Sequence, residues 1–169
     1  MTVVTSSQGV PESGPTPPTA HRVLFVSSSG GHLSQLLQLE PWWRHHDRRW
    51  VTFDLPDARS KLEGEVLIPA HFPTTRNLVN LVRNLPLAWR VVTGYRPDVV
   101  ISNGAGLALP FFLVARLTGV STVYFEVYDR IDSRSLTGRL CRPLADRFCV
   151  QWPEQERLYQ GSTLVGPIY

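Results

Sequence analysis

The sequence predicts an α/β domain with a doubly wound parallel sheet, covered by helices on both faces. Two observations carry this. Short apolar runs suited to strands alternate with segments of helical periodicity from residue 21 to residue 169. That alternation builds parallel sheets through right-handed crossovers. The first run, Val23, Leu24, Phe25 and Val26, is apolar without a break, as in a strand buried on both faces.

Residues 1–20 are dominated by Ser, Thr, Pro and Gly, and Pro15, Pro17 and Pro18 forbid regular structure there. They read as a disordered tail, with 21–169 as the folded domain. After the first strand, residues 27–31 carry no bulk, and Gly30 and Gly31 permit a sharp turn and the close approach of a ligand. Leu33, Leu36 and Leu37 then recur at helical spacing. Free N–H groups and the positive end of the helix dipole suit a phosphate at this junction, and His32 stands at its mouth. An ordinary turn with an exposed histidine accounts for the same residues.

Pro41 and residues 42–49 make a helix end and a turn. Trp42 and Trp43 beside arginines suit a membrane interface or a sheet edge equally. His45 and His46 are adjacent and point apart, which argues against a metal site. A strand over 50–53, a short helix over 57–62 and a strand over 65–69 follow. Thr74 and Thr75 can cap a long helix over 76–93, with Leu78, Leu81, Val82, Leu85 and Trp89 as its apolar stripe. Arg76, Arg83 and Arg90 recur every seven residues, with Asn80 and Asn84 near the same face. That face is either solvated or a basic strip for anionic headgroups or a diphosphate. Pro86 should kink or restart the helix.

A strand over 99–102 leads into the turn Asn103-Gly104-Ala105-Gly106 and a helix over 107–117. Gly119 follows that helix. The remaining pattern is strand 120–126, helix 134–144, strand 147–151, helix 154–159 and a last strand over 162–165. Ligands of such sheets bind at the carboxyl ends of the strands. The turns at 27–32, 103–106 and 126–130 should therefore converge on one crevice of this Rossmann-like domain.

At 169 residues, 43% of them apolar, the chain has material for one domain with a real core. Its net charge of +3 is too small to call for nucleic acid, and no reader motif is present. Lys61 is the single lysine, and arginine suits phosphate and carboxylate recognition. Cys141 and Cys149 form no framework, and Cys149 suits a buried, reduced role. The N-terminus lacks a basic start and an apolar signal core, and no run approaches the roughly 18 apolar residues of a membrane span. A cytoplasmic protein, soluble or peripheral, is expected. Gly104, Gly106 and Glu126 imitate a dinucleotide fingerprint, but Leu109 takes the third glycine position. No Gly-Lys-Ser/Thr loop, no Gly-x-Ser-x-Gly elbow and no divalent-metal cluster occurs.

Several motifs occur in a fixed order: Ser28-Ser-Gly-Gly-His32-Leu, Ser102-Asn-Gly-Ala-Gly106, Tyr124-Phe-Glu126, and Arg130 with Ser135-Leu-Thr137-Gly138. Ala145-Asp146-Arg147-Phe148 and Val150-Gln151-Trp152 complete the set. Together they resemble the membrane-associated, acceptor-side subunit of the split UDP-N-acetylglucosamine transferase of lipid-linked oligosaccharide synthesis. Its bacterial relatives in exopolysaccharide synthesis are closer still. The resemblance covers about 21–169. A more distant likeness is to the peptidoglycan enzyme that adds N-acetylglucosamine to the undecaprenyl-linked precursor, which also has a Gly-Gly-His turn after its first strand.

The resemblance implies the N-terminal half of a GT-B glycosyltransferase cut in two. A separate donor-binding subunit would hold the UDP-sugar, and this chain the polyprenyl-diphosphate-linked sugar. Its end at residue 169 agrees with a half-enzyme. No tightly bound cofactor and no metal are implied. The eukaryotic subunit has an N-terminal membrane helix, whereas this tail is polar. Contact with the inner face of the cell membrane would then be peripheral or borne by the partner.

For inverting transfer at a sugar C1, His32 is the candidate general base, or else a ligand of the acceptor diphosphate. Glu126 could replace it as base, orient the acceptor sugar, or pair with Arg130. Ser29, Gly30, Gly31, Asn103, Gly104 and Gly106 would offer the diphosphate their turns. Arg130, Ser135, Thr137 and Gly138 would complete the acceptor site. Asp146, Gln151 and Trp152 would serve the fold or the partner surface. Two rival readings are a non-catalytic scaffold that recruits a catalytic partner to the membrane, and a stand-alone nucleotide-sugar-binding α/β protein.

Overall fold

A computed structural model describes residues 20–74 and 77–168. The expected tail falls outside the described residues except for Ala20, and so do Thr75 and Arg76. The strands are β1 (Arg22–Val26), β2 (Asp47–Thr52), β3 (Leu67–Pro69), β4 (Val99–Ser102), β5 (Ser121–Phe125), β6 (Arg147–Val150) and β7 (Thr163–Leu164). They form one sheet in the order β3-β2-β1-β4-β5-β6-β7, with every pairing parallel. The doubly wound prediction holds. The winding reverses between β1 and β4, which pair through Val23–Val99 and Val26–Ser102. The turns after these two strands therefore open side by side at the switch point, where such sheets bind ligands.

The helices are α1 (Gly31–Leu37), α2 (Glu40–Trp43), α3 (Pro56–Lys61), α4 (Leu78–Tyr95), α5 (Ala108–Thr118), α6 (Leu136–Cys141) and α7 (Pro153–Leu158). A 3-10 turn over Arg142–Leu144 follows α6. One core layer joins Leu24 and Val26 to Leu87, Val91, Phe111 and Phe112 under α4 and α5. The other joins Val23 and Phe25 to Leu33, Leu36, Trp43 and Ala58 under α1 to α3. Consecutive β1 side chains enter opposite layers, which is why its apolar run has no polar gap. Cys141 and Cys149 are buried free thiols. No helix among the described residues is long and apolar enough to cross a membrane.

Two expectations in this region are corrected. First, residues 40–43 form a separate short helix, and β2 starts at Asp47 rather than at Trp50. The Arg48 guanidinium lies over the Trp43 ring at 4.5 Å, which lets the strand begin with charged residues. Trp43 is buried and packs edge-on against Trp50, whereas Trp42 stays exposed beside His46.

Second, α4 is turned round relative to its sequence stripe. Leu78, Val82 and Trp89 are 71%, 54% and 54% exposed, whereas Asn80 and Asn84 are buried. Asn84 accepts from the His71 N–H and donates to the His71 carbonyl, both at 3.0 Å, and Asn80 donates to the Pro73 carbonyl at 3.0 Å. The two amides thus pair a backbone segment that has no strand partner. The second half of the helix supplies its core contacts through Leu87, Ala88, Val91 and Val92. The cap is Asn77, whose side chain accepts from Asn80 N–H, not the threonines. The helix runs unbroken through Pro86. Pro86 and Val82 both lie on the exposed side, so the carbonyl freed by proline meets water.

Candidate functional site

The carboxyl ends of the central strands open into a cleft of about 680 Å³. Its lining combines two chemically distinct sets of residues. The polar set is His32, Thr74, Asn77, Asp129, Arg130, Ser135 and Thr137, with the backbone of Gly104 and Gly106. The apolar set includes Leu78 and Leu81 from α4, Leu109 from α5, and Leu136 and Leu140 from α6. The three turns expected to meet do so, each through some of its residues.

His32 sits on the first turn of α1. Burial pushes its imidazole pKa below the ordinary 6.5, and the Asp129 charge works the other way. The ring is therefore neutral near pH 7 and able to accept a proton. Gly104 faces it with φ +111°, and a methyl group there would lie 3.0 Å from the Tyr124 hydroxyl and 3.8 Å from His32 Nε2. A methyl group at Gly106 would press within 2.9 Å of the Thr74 carbonyl. Both glycines are needed for space, not only for the turn.

Other expected residues stand behind the cleft. Asn103 is fully buried and donates to the His32 carbonyl at 2.7 Å, while its Oδ1 has no partner. Ser29, Gly30 and Gly31 do not line the cleft. The Gly30 N–H expected to reach a diphosphate donates instead to Asp57 Oδ2 at 2.9 Å, so an acidic side chain from α3 already occupies that donor.

Glu126 likewise does not line the cleft. It has 0% exposure and lies under the cleft floor. Burial raises its carboxyl pKa, opposed by the neighbouring Tyr159 and Ser135 hydroxyls, the Val127 N–H and the Arg130 charge. An ion pair with Arg130, one of the three roles open to it, is absent among the described residues. Gly138 is buried against this group: a methyl group there would collide with Glu126 Oε2, Ser135 Oγ and the Tyr159 hydroxyl. Ser135 caps α6 by accepting from Gly138 N–H at 2.8 Å.

Sequence reasoning missed Asp129, which adjoins the quoted Arg130, and missed Leu78 and Leu81 as cleft walls because they were counted as core. Among the described residues no group of three or more His, Cys, Asp or Glu side chains could hold a metal ion.

Comparison with known proteins places this geometry among relatives. A family model described as "Oligosaccharide biosynthesis protein Alg14 like" matches residues 71–168. The mouse UDP-N-acetylglucosamine transferase subunit ALG14 is 26% identical over 185 residues, spanning 90% of this chain and 85% of that protein. The Cryptococcus neoformans subunit of the same name is 44% identical over 114 residues, spanning 63% of this chain and 49% of that one. Among solved structures, Acinetobacter baumannii MurG superposes with a TM-score of 0.70 at 16% identity, covering 86% of this chain and 45% of that one. A Staphylococcus aureus MnaA–UDP structure gives 0.67 at 12% identity, covering 84% and 42%. The chain spans less than half the length of these two structures, and its fold is that of a GT-B N-terminal half.

Proposed function

Because this chain belongs to the Alg14-like family of oligosaccharide biosynthesis proteins, we propose that it is the acceptor-binding subunit of a two-chain, UDP-sugar-dependent glycosyltransferase. Its acceptor is a polyprenyl-diphosphate-linked sugar in oligosaccharide or exopolysaccharide synthesis. The observation that carries this reading is one cleft lined by both polar groups and apolar side chains. A sugar diphosphate fits the first and a hydrocarbon chain the second. The apolar wall continues onto the exposed outer faces of α4 and α5, through Val82, Trp89, Leu113 and Leu117. A lipid acceptor can therefore enter from a membrane surface without leaving an apolar environment.

In this reading Arg130 and the narrow backbone turn at Gly104 and Gly106 hold the diphosphate, with Ser135 and Thr137 hydroxyls beside it. His32 takes the proton from the acceptor hydroxyl as that oxygen bonds to the sugar C1. The bond from C1 to the UDP oxygen breaks on the opposite side, inverting the centre. The relatives' names describe a subunit, which supports a second chain that carries the nucleotide sugar. Contact with the cytoplasmic face of the membrane is peripheral, through the α4–α5 face.

The test is transfer from UDP-N-acetylglucosamine, UDP-glucose and UDP-galactose to polyprenyl-diphosphate sugars in membranes. The chain is assayed alone and co-expressed with a donor-binding partner. Transfer only with both chains supports the reading. Equal transfer by this chain alone, or none by the pair with any of the three donors, rejects it.

A further inference from the structure

Four buried side-chain amides run in line beneath the cleft. Asn103 Nδ2 donates to the His32 carbonyl at 2.7 Å and to Gln35 Oε1 at 3.0 Å. Gln35 Nε2 donates to Gln151 Oε1 at 2.9 Å. Gln151 Nε2 donates to the Glu126 carbonyl at 2.8 Å. The Gln151 N–H in turn donates to Gln155 Oε1 at 2.8 Å, and Gln155 Nε2 reaches the carbonyls of Val127 at 2.8 Å and Arg130 at 3.3 Å. The exposures of Asn103, Gln35, Gln151 and Gln155 are 0%, 6%, 1% and 0%.

These residues come from four separate parts of the chain: the turn after β4, α1, the end of β6, and α7. None bears on the core as an apolar residue would, and a buried amide costs free energy unless it is paired, as every amide atom of the line is except Asn103 Oδ1. What they have in common is what they hold. One end fixes the backbone of His32, and the other fixes the loop that carries Asp129 and Arg130 into the cleft. The Trp152 indole adds a third tether to that loop, donating to the Tyr128 carbonyl at 2.8 Å. At its middle the line meets the segment after β7: Ile168 N–H donates to Gln151 Oε1 at 2.9 Å, and the Ile168 carbonyl accepts from Gln35 Nε2 at 3.3 Å.

We propose that Asn103, Gln35, Gln151 and Gln155 are positioning residues for the reaction, setting His32 against the Asp129–Arg130 loop. The segment at Ile168 is the outside input to this line, because its backbone shares Gln151 Oε1 and Gln35 Nε2 with the amides themselves. A change at Ile168 is thus felt at His32 through two side chains, with no movement of the sheet. The inference rests on the reading of His32 as the residue that meets the acceptor. The charged groups that share the cleft with His32 are Asp129 and Arg130, and both belong to the loop the network holds.

The experiment follows the His32 ring by NMR titration in the chain itself, so it needs no transfer activity and stands apart from the assay above. Gln151→Met keeps the volume and removes the Gln151 side-chain hydrogen bonds. Ile168→Pro removes a single N–H, and remains informative if the first variant fails to fold. A loosened cleft readmits water to a ring whose pKa is held down by burial. The His32 midpoint should therefore rise toward 6.5, by about half a pH unit in Gln151→Met and less in Ile168→Pro. The His46 midpoint should stay where it is. An unmoved His32 midpoint in folded Ile168→Pro overturns the input at Ile168, and in folded Gln151→Met overturns the positioning role altogether.

Discussion

His32 and Glu126 entered as alternative bases and leave with different environments. Both are perturbed by burial, in opposite directions in pKa but toward the same neutral state. Only His32 meets the cleft. A base must be deprotonated, and the folded pKa of His32 lies below 6.5. If His32 is the base, the acid limb of kcat/KM should therefore have its midpoint below pH 6.5, as the ring gains its proton. A decline already complete above pH 6.5 would assign the limb to another group. His32→Gln should lower transfer by about 10²–10⁴-fold without loss of the fold. At this scale the sequence was partly legible. The Gly-Gly-His turn could be found because its chemistry is local. Asp129 could not, because nothing in a Tyr-Asp-Arg loop shows which side chain will turn toward a histidine nearly a hundred positions away.

The α4 helix shows what periodicity can and cannot tell. Its length and its start were legible to within two residues, since they follow from neighbouring positions. Its buried side was not. Leu78, Val82, Leu85 and Trp89 make a regular stripe, yet burial goes to a side that contains Asn80 and Asn84. The deciding partners, the backbone groups of His71 and Pro73, lie outside the helix. Truncating Asn84, itself fully buried, would leave the part-buried His71 N–H and carbonyl without partners. Asn84→Ala should cost about 2–3 kcal/mol in a urea unfolding experiment, whereas the exposed Arg83→Ala should stay within about 0.5 kcal/mol. Comparable losses for the two would mean that Asn84 serves only as a surface residue.

Taken whole, the molecule puts its wettest chemistry and its greasiest surface next to each other. The parallel, doubly wound sheet was legible from the alternation of strands and helices, and so was a crevice at the carboxyl ends of its strands. The amphiphilic character of the cleft was not, because it needs α4, α5 and α6 assembled. Replacing Val82 and Trp89 together by serine removes exposed apolar area only. Co-sedimentation with vesicles containing phosphatidylglycerol should fall at least several-fold, while Tm changes little. A drop in Tm with vesicle binding intact would return both residues to a structural role.

The position of β1 between β2 and β4 also governs how the chain is made. Translation delivers β1, β2 and β3 first, and they can pair as they emerge. The other edge of β1 then waits for β4, which is not complete until Ser102 has been synthesised. Until then a strand with four consecutive apolar residues presents open backbone groups to solvent, a template for any other nascent strand. The ribosome-bound fragment is thus the species most in need of a chaperone, and slow codons between β3 and β4 would lengthen its exposure.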